Sequence, residues 1–280
     1  MKIAVFGGDK RMLFAAKAFA DGGHEVLLTG FDSLVSLCEI RVCAVKEAAQ
    51  ECDIAVLPVR PVADGNLFAP FSQHPISING LADQIGKKPI FSGSAPMLKP
   101  YISGEILDYS ANEMFTLRNA ELTAEGAIGL ILNEYEGAVY GTGILVTGYG
   151  RIGKVLSRYL SMMGAKVTVA ARNPDDRDMI AYRGMTAADY PALDWSGYRV
   201  IVNTVPVEVI DKDAIAQMRE DVFIIDLASM PGGVDFSAAK DREITCIHAL
   251  AIPGKTAPLT AGIIIKDTIM NLLEREEIPG

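Results

Sequence analysis

The fold of this chain is decided by Ile144-Leu145-Val146-Thr147-Gly148-Tyr149-Gly150-Arg151-Ile152-Gly153. An apolar run of strand type leads into three glycines spaced as Gly-x-Gly-x-x-Gly, and residues with helical spacing follow. In such a unit Gly148 makes the tight turn, Gly150 admits a pyrophosphate close to the backbone, and Gly153 lets the helix pack against the strand. The first N–H groups of the helix carry a partial positive charge that attracts phosphate. The stretch therefore predicts a Rossmann dinucleotide-binding unit.

The residue that follows the second strand of this unit indicates which dinucleotide binds. The strand Lys166–Ala170 leads to Arg172, 24 residues after Gly148, where an NAD-binding unit usually carries Asp or Glu for the ribose hydroxyls. A guanidinium suits a 2′-phosphate through its charge and its paired N–H groups. Asp175 and Asp176 follow and are interpreted as loop residues. NADP is therefore the predicted cofactor, with NAD, or the use of both, as the alternative.

Ligands of parallel α/β sheets bind at the carboxyl ends of the strands. Two further strands are predicted in this unit, Val200–Asn203 and Phe223–Asp226, so we expect the residues that follow them to line the nicotinamide side. Ser229 can donate a hydrogen bond to the substrate or to the carboxamide. Besides the three glycines and Arg172, the expected cofactor contacts are Tyr149, Arg151, Ile152, Asn173, Asn203, Thr204, Val205, Pro206, Asp226, Leu227, Ala228 and Ser229.

Strand and helix patterns alternate along the chain, which favours two α/β domains with parallel sheets. A long helical pattern runs from Asn119 to Asn133 between them, with Thr123 and Glu125 near its start. The C-terminal helix is expected to return and pack on the first domain. The predicted parts are a flavodoxin-like or Rossmann-like substrate-side domain at 1–120, a crossover helix at 121–138, a Rossmann NADP-binding domain at 139–261 and the returning helix at 262–280.

Composition and charge exclude several classes of function. The 280 residues carry a formal net charge of −9 without a basic stripe, so neither nucleic acid nor an anionic membrane surface is an expected partner. No apolar run approaches the roughly 18 residues of a membrane span, and the N-terminus lacks the form of a signal peptide. We therefore expect a cytoplasmic protein.

No metal site is predicted from the cysteines and histidines. Cys38, Cys43, Cys52 and Cys246 include no Cys-x-x-Cys pair, and the three histidines are scattered. Reduced, buried cysteines of a cytosolic protein are the simplest interpretation.

The order of parts resembles the D-2-hydroxyacid dehydrogenase architecture, in which a substrate domain, a crossover helix, an inserted Rossmann domain and a returning helix follow one another. That family's catalytic residues are not found at the matching places. The loop after Asp226 holds no arginine, and the stretch from Pro253 to Thr260 holds no histidine. His248 lies inside a predicted strand and is interpreted as a core residue.

Seven motifs spread over nearly the whole chain carry a closer resemblance. They are Val5-Phe6-Gly7-Gly8-Asp9-Lys10-Arg11, Leu57-Pro58-Val59, Phe91-Ser92-Gly93, Asn119 with Leu122-Thr123-Ala124-Glu125-Gly126, Gly148-Tyr149-Gly150-Arg151-Ile152-Gly153, Asp226-Leu227-Ala228-Ser229-Met230-Pro231-Gly232-Gly233-Val234-Asp235-Phe236 and Pro253-Gly254-Lys255-Thr256-Ala257-Pro258-Leu259-Thr260-Ala261-Gly262. In this order they resemble the family of dipicolinate synthase A-subunits. Arg118 and Ala120 depart from that family's usual small and polar neighbours of Asn119.

This resemblance implies an oxidoreductase that acts in sporulation, in the cytoplasm of the mother cell of a sporulating bacterium. With a flavoprotein-like partner, the dipicolinate synthase B-subunit, it would convert a dihydrodipicolinate-level intermediate of lysine biosynthesis to pyridine-2,6-dicarboxylate. A hydride would pass to C4 of the nicotinamide and a proton to a base or to water, so the enzyme mainly has to position two rings.

The two carboxylates of such a substrate require cationic or N–H partners, which we expect to face the cleft from both domains. The expected substrate-binding residues are Lys10, Arg11, Arg60, Ser92, Gly93, Asn119, Thr123 and Thr256. The expected catalytic residues are Glu125, Ser229 and Lys255, with Glu125 as the proton acceptor.

Two other functions stay open from the sequence. The chain can be an NADP(H)-binding scaffold or sensor for its partner protein, because the catalytic histidine and arginine are absent. It can also be a D-2-hydroxyacid-type dehydrogenase with displaced catalytic groups. Half of the residues are hydrophobic, which suggests a homo-oligomer or a partner interface.

Overall fold

The computed structural model describes residues 1–37 and 40–275, which form two compact units. The N-terminal unit comprises Met1–Asn119 and the chain from Ala257 onward, and the Rossmann unit comprises Ala120–Thr256. Cys38 lies outside the described residues, as do the last five residues of the predicted C-terminal helix.

The N-terminal unit is built on a parallel sheet. Its strands are β1 (Lys2–Phe6), β2 (Glu25–Thr29), β3 (Arg41–Val42), β4 (Ile54–Val56), β5 (Val62–Ala63), β6 (Asn66–Leu67), β7 (Ile90–Ser92) and β8 (Ile106–Asp108). Six of them pair in the order β3-β2-β1-β4-β7-β8, and β5 and β6 form a short antiparallel hairpin. Most of β1, β2, β4 and β7 is buried, as expected for a parallel sheet that is covered on both faces.

Helices cover this sheet. They are α1 (Lys10–Asp21), α2 (Val45–Glu51), α3 (Ile78–Ile85) and α4 (Ala95–Leu98). α1 begins where the sequence offers a capping residue, because Asp9 Oδ1 accepts a hydrogen bond from the N–H of Arg11 at 3.0 Å. Met12, Ala15 and Phe19 form a buried face at helical spacing, and α1 contacts β1 and β2.

The long helix α5 (Glu113–Glu134) contains the boundary between the two units. The sequence pattern predicts that this helix starts at Asn119, but the helix begins six residues earlier, at Glu113. Thr123 and Glu125 therefore lie in its interior. The true start is capped by Asn112, whose Oδ1 accepts a hydrogen bond from the N–H of Phe115 at 3.2 Å. The helix therefore begins at a polar cap that apolar spacing alone does not mark.

The Rossmann unit repeats the same plan. Its strands are β9 (Gly143–Thr147), β10 (Lys166–Ala170), β11 (Thr186–Ala188), β12 (Val200–Asn203), β13 (Phe223–Asp226) and β14 (Thr245–His248). Its helices after α5 are α6 (Arg151–Met162), α7 (Pro174–Tyr182), α8 (Lys212–Gln217), α9 (Phe236–Asp241) and α10 (Ile252–Thr256). The strands are parallel in the order β11-β10-β9-β12-β13-β14, so the strand order reverses direction between β9 and β12. The predicted two-domain α/β fold with a Rossmann domain is confirmed.

Asp175 and Asp176, which are interpreted as loop residues from the sequence, lie in the first turn of α7. The stretch from Pro253 to Thr260 is also helical, because it belongs to α10 and to the start of α11 (Pro258–Arg275). Proline is tolerated at the first helical position, because its missing N–H would have no partner there. Pro174 and Pro258 each occupy that position, so these prolines begin helices.

α11 packs along α1 within the N-terminal unit. The buried face of α11 includes Ile264, Ile265 and Ile269. The helices approach closely at Gly262, where a Cβ atom would lie 2.6 Å from the backbone nitrogen of Ala15. Glycine at this position therefore sets the distance between the two helices.

We expect Gly262→Ala to lower the free energy of unfolding by about 1–3 kcal/mol, because the new methyl group would collide with backbone atoms of α1. Gly129→Ala is the matched control, since Gly129 also lies inside a helix but has no described atom within 4 Å of its missing Cβ. The control should raise the free energy of unfolding by about 0.5–1 kcal/mol. Urea denaturation followed by circular dichroism measures both, and equal effects would contradict the close contact.

Candidate functional site

The turn between β9 and α6 has the geometry that its glycines predict. Gly148 has a φ of +93°, and a Cβ there would lie 2.6 Å from Thr204 Oγ1 and 2.8 Å from Val205 Cγ2. A Cβ at Gly153 would collide with the carbonyl oxygen of Gly148. Both positions therefore exclude a side chain, and α6 can start close to the strand.

Gly150, in contrast, faces open space. No atom of the described chain lies within 4 Å of the position of its missing Cβ. Gly150 is the N-cap of α6, a helix of 12 residues whose first turn contains no Asp or Glu, and no described side chain caps this helix end. Free approach and the positive end of the helix suit an anionic group, so these residues fit the pyrophosphate of a dinucleotide.

The residues between these three glycines differ in exposure. Arg151 is exposed on the first turn of α6, and Ile152 is partly buried against the core of the unit. Tyr149 is buried, and the Nζ of Lys154 lies 5.2 Å from the centre of its ring. The hydroxyl of Tyr149 has no hydrogen-bond partner in the described part of the chain.

Arg172 lies two residues after β10, with its side chain exposed. Nη1 of Arg177 donates hydrogen bonds to the carbonyl oxygens of Ala171, at 2.9 Å, and Arg172, at 2.8 Å. The neighbouring Asn173 caps α7, because its Oδ1 accepts a hydrogen bond from the N–H of Asp175 at 3.1 Å. The backbone of Arg172 is therefore held in place, while Asn173 has a structural task at the start of α7.

Asn203 and Asp226 form a buried network at the carboxyl ends of the central strands. Asn203 Nδ2 donates to Asp226 Oδ1 at 2.7 Å, and Thr147 Oγ1 donates to Asn203 Oδ1 at 2.7 Å. Asp226 also accepts hydrogen bonds from the N–H groups of Ala228, at 3.0 Å, and Gly233, at 2.8 Å. Because these side chains are fully buried, they shape the loops. Their direct contact with a cofactor stays a prediction.

The loops held by this network carry the exposed predicted residues. Thr204 and Val205 are partly buried and Pro206 is exposed, with Thr204 Oγ1 donating to the carbonyl oxygen of Thr147 at 2.8 Å. After β13, Leu227 and Ala228 are buried and Ser229 is exposed. Of the predicted contacts in the second loop, Ser229 is thus the one whose side chain faces solvent.

The predicted catalytic residues lie on separate elements of the Rossmann unit. Glu125 is exposed on α5 and Lys255 is exposed on α10. The two helices touch at Gly126, where a Cβ would collide with Ile252 and would lie 2.8 Å from Thr256 Oγ1. Glu125 and Lys255 therefore belong to adjacent helices.

Three other residues considered in the sequence analysis are buried or hydrogen-bonded within this unit. Thr123 is buried within α5. Thr256 Oγ1 donates to the carbonyl oxygen of Ile252 at 3.0 Å. His248, at the end of β14, has its Nε2 2.9 Å from the carbonyl oxygen of Ala228, and its ring stacks on Phe236.

The N-terminal unit supplies the remaining substrate-binding predictions. Lys10 and Arg60 are exposed, and Asn119 is partly buried on α5. Arg11 forms a two-pronged ion pair with Asp9, through Nε at 2.9 Å and Nη2 at 2.8 Å. Its charge is therefore already paired inside the unit.

Ser92 and Gly93, which are predicted to bind substrate, are packed into the N-terminal unit. Ser92 is fully buried, with its Oγ 2.9 Å from the carbonyl oxygen of Gly93 and 3.2 Å from that of Pro58. A Cβ at Gly93 would lie 2.5 Å from the carbonyl oxygen of Val59. The motif does not reveal this burial, and substrate binding by Ser92 and Gly93 stays a prediction.

Sequence reasoning missed Tyr190, which follows β11. Its hydroxyl is buried and has no hydrogen-bond partner among residues 1–37 and 40–275. No sequence motif includes this tyrosine. The one sequence feature that could have indicated it is its position just after a strand of the Rossmann sheet.

Neither a metal centre nor a membrane span is found in the described part of the chain. No three His, Cys, Asp or Glu residues there are grouped to hold a metal ion, and no helix there is long and apolar enough to cross a bilayer. Burial raises the pKa of the Cys52 thiol, and burial together with the Asp226 carboxylate raises the pKa of Cys246 to about 12. These thiols are therefore protonated near neutral pH.

Two family models match the chain, one in each half. Residues 2–107 match the N-terminal domain of the dipicolinate synthase A-subunit. Residues 126–230 match the NAD binding domain of D-isomer specific 2-hydroxyacid dehydrogenases. The second match supports a nicotinamide cofactor and an oxidoreductase-type domain.

Relatives of full length carry the same name as the first model. The dipicolinate synthase A-subunit of Bacillus subtilis (strain 168) is 28% identical over 286 residues, which cover 98% of this chain and 96% of the relative. The crystal structure of the dipicolinate synthase A-subunit from Bacillus halodurans has a TM-score of 0.86 at 28% identity and covers 97% of both chains. The crystal structure of the corresponding Bacillus subtilis protein has a TM-score of 0.86 at 27% identity and covers 100% of this chain and 98% of that one. The chain is thus similar to the dipicolinate synthase A-subunit over nearly its whole length, in sequence and in fold, as its motifs predict.

Proposed function

We propose that this chain is the NADP(H)-dependent redox component of a dipicolinate synthase. It oxidises a dihydrodipicolinate-level intermediate to pyridine-2,6-dicarboxylate. The observation that carries the proposal is the glycine-rich turn 148–153 at the N-terminus of α6, which no described side chain caps. This turn occurs in a chain that is similar to the dipicolinate synthase A-subunit over 98% of its length.

Different residues of the Rossmann unit are assigned to different parts of the nucleotide. When bound, the dinucleotide accepts a hydride at C4 of its nicotinamide ring. Gly150 and the N-terminus of α6 hold the pyrophosphate, and Arg172 neutralises a 2′-phosphate. Thr204 and Ser229 border the nicotinamide side on loops whose shape is set by Asn203.

The chain's own residues also have to bind and orient the substrate. Oxidation of a dihydropyridine removes one hydrogen as hydride and one as a proton, and it leaves an aromatic ring. Two carboxylates must therefore be bound and one proton taken up. We assign Lys255 to a carboxylate and Glu125 to the proton, because both are exposed and lie on helices that touch at Gly126.

The names of the relatives describe one subunit of an enzyme, which supports a complex. We assign the flavoprotein-like B-subunit of dipicolinate synthase as partner, and sporulation in the mother cell as the setting. An NADP(H)-binding protein without turnover of its own is the second candidate, because His248, Asn203 and Asp226 are all engaged in hydrogen bonds within the unit. Formation of NADPH and dipicolinate by the purified chain, with and without the partner, distinguishes the two.

We expect Arg172→Glu to weaken NADPH binding by at least about tenfold and to leave or improve NADH binding, because a carboxylate repels a 2′-phosphate and accepts from ribose hydroxyls. Fluorescence titration with each nucleotide measures this. Arg183→Glu is the control, since Arg183 is also exposed but lies at the far end of α7. Wild-type preference for NADH, or equal losses in the two variants, would contradict the NADP assignment.

We expect Lys255→Ala to raise the KM for the dicarboxylate substrate by about fivefold, because an exposed charge pair contributes up to about 1 kcal/mol. The KM for NADP should stay within twofold, since no part of this assignment involves the nucleotide. Lys240→Ala, which removes an exposed lysine of α9, serves as the control. If steady-state kinetics show the same change for both substrates, or none, Lys255 does not bind the carboxylate.

A further inference from the structure

The hydroxyl of Tyr190 is a buried polar atom that the fold leaves unsatisfied. It has no hydrogen-bond partner in the described chain, although the ring packs on the hydrophobic cluster that contains Leu145 and Trp195. A buried hydroxyl without a partner reduces stability, since it has lost its hydrogen bonds to water. One explanation for such a group is that a bound ligand supplies the missing hydrogen-bond acceptor.

Strand register places Tyr190 level with Arg172, the residue that we assign to the 2′-phosphate. β10 and β11 pair in parallel with Ala170 opposite Ala188, and the N–H of Ala171 donates to the carbonyl oxygen of Ala188 at 3.0 Å. Arg172 and Tyr190 each lie two residues beyond this pair. Both therefore emerge at the same carboxyl edge of the sheet.

The loops that carry Arg172 and Tyr190 are tied together by Arg177. Its Nη1 donates to the carbonyl oxygen of Arg172 at 2.8 Å and lies 3.5 Å from Oδ2 of Asp189, the residue before Tyr190. The N–H of Tyr190 in turn donates to Asp189 Oδ1 at 3.0 Å. The backbone on both sides of the unsatisfied hydroxyl is thus held by hydrogen bonds.

The hydroxyl is a hydrogen-bond donor at neutral pH. Burial raises the pKa of Tyr190 to about 12, whereas the charge of Arg172 and the backbone amide of Gly148 act in the opposite direction. The N–H of Gly148 already donates to the carbonyl oxygen of Ala170 at 2.9 Å, so it does not satisfy the phenol. The site therefore offers a neutral O–H group, from Tyr190, and a cation, from Arg172, close to Gly148.

We propose that Tyr190 and Arg172 together bind the 2′-phosphate of the adenosine ribose, with the Tyr190 hydroxyl as donor and the guanidinium as counter-charge. The inference rests on the proposed function and adds a specificity-determining residue to its nucleotide site. In Rossmann units the adenosine ribose is bound at the end of the second strand, which is the place of Arg172. A 2′-phosphate that pairs with the exposed Arg172 would then be the hydrogen-bond partner that the Tyr190 hydroxyl lacks.

The test is Tyr190→Phe, which removes one oxygen atom and keeps the ring that packs on the core. We expect the Kd for NADPH to rise about tenfold and the Kd for NADH to change by less than twofold, as for loss of a hydrogen bond to a charged group. The thermal midpoint of the free protein should stay the same or rise, because an unsatisfied buried hydroxyl is removed. Tyr182→Phe is the control, since that tyrosine is 87% exposed and should change none of these values.

The outcomes separate this inference from the proposed function. If the wild-type chain binds NADPH and Tyr190→Phe binds it equally well, the assignment of Tyr190 is overturned while the proposed function stands. Equal losses for NADPH and NADH would overturn the contact with the 2′-phosphate, because both nucleotides share every other group. If the wild-type chain binds neither nucleotide, the proposed function fails, and the inference fails with it.

Discussion

The side chain of Asn203 ties together the carboxyl ends of neighbouring strands, and the candidate site depends on that arrangement. It accepts a hydrogen bond from Thr147 on β9, donates one to Asp226 on β13 and accepts one from the N–H of Val205 in the next loop. Asp226 then holds the loop after β13 through two backbone N–H groups. Removal of the amide would leave a buried carboxylate short of a donor, which is costly. Two loops that border the site therefore owe their shape to one buried network.

The two units share a strand order but differ at the end of their first strand. In the N-terminal unit the N-cap of α1 is Asp9, whose carboxylate pairs with Arg11 at the place where a phosphate would bind. The carbonyl oxygen of Phe68 accepts from the N–H of Gly8 at 2.7 Å and lies close to Gly7. A negative charge and a covering loop oppose a dinucleotide there. Among the described residues, the same topology thus leaves the helix after the first strand open to a dinucleotide in the Rossmann unit and capped by a carboxylate in the N-terminal unit.

Sequence pattern predicted those features that rest on local chemistry. The glycines at Gly148, Gly150 and Gly153 are constrained by contacts within a few residues or with the adjacent strand end, so their spacing was informative. Features that depend on burial were not readable, because a motif gives residue types and not their surroundings. Ser92 resembles a site residue in sequence and is buried by the fold, whereas Tyr190 resembles an ordinary tyrosine and carries an unsatisfied hydroxyl.

The candidate site has to attract an anionic nucleotide although the chain carries a formal net charge of −9. In physiological salt, exposed charges interact over about 8–10 Å, so binding depends on the groups beside the phosphates. Asp175 and Asp176 follow Arg172 closely, but they occupy the first turn of α7, where the positive end of that helix partly offsets their charge. The guanidinium can therefore act on a phosphate, yet a flexible arginine accepts many anions. Discrimination requires a donor of fixed position, and the Tyr190 hydroxyl that we propose for this role lies on a backbone that is held through Asp189.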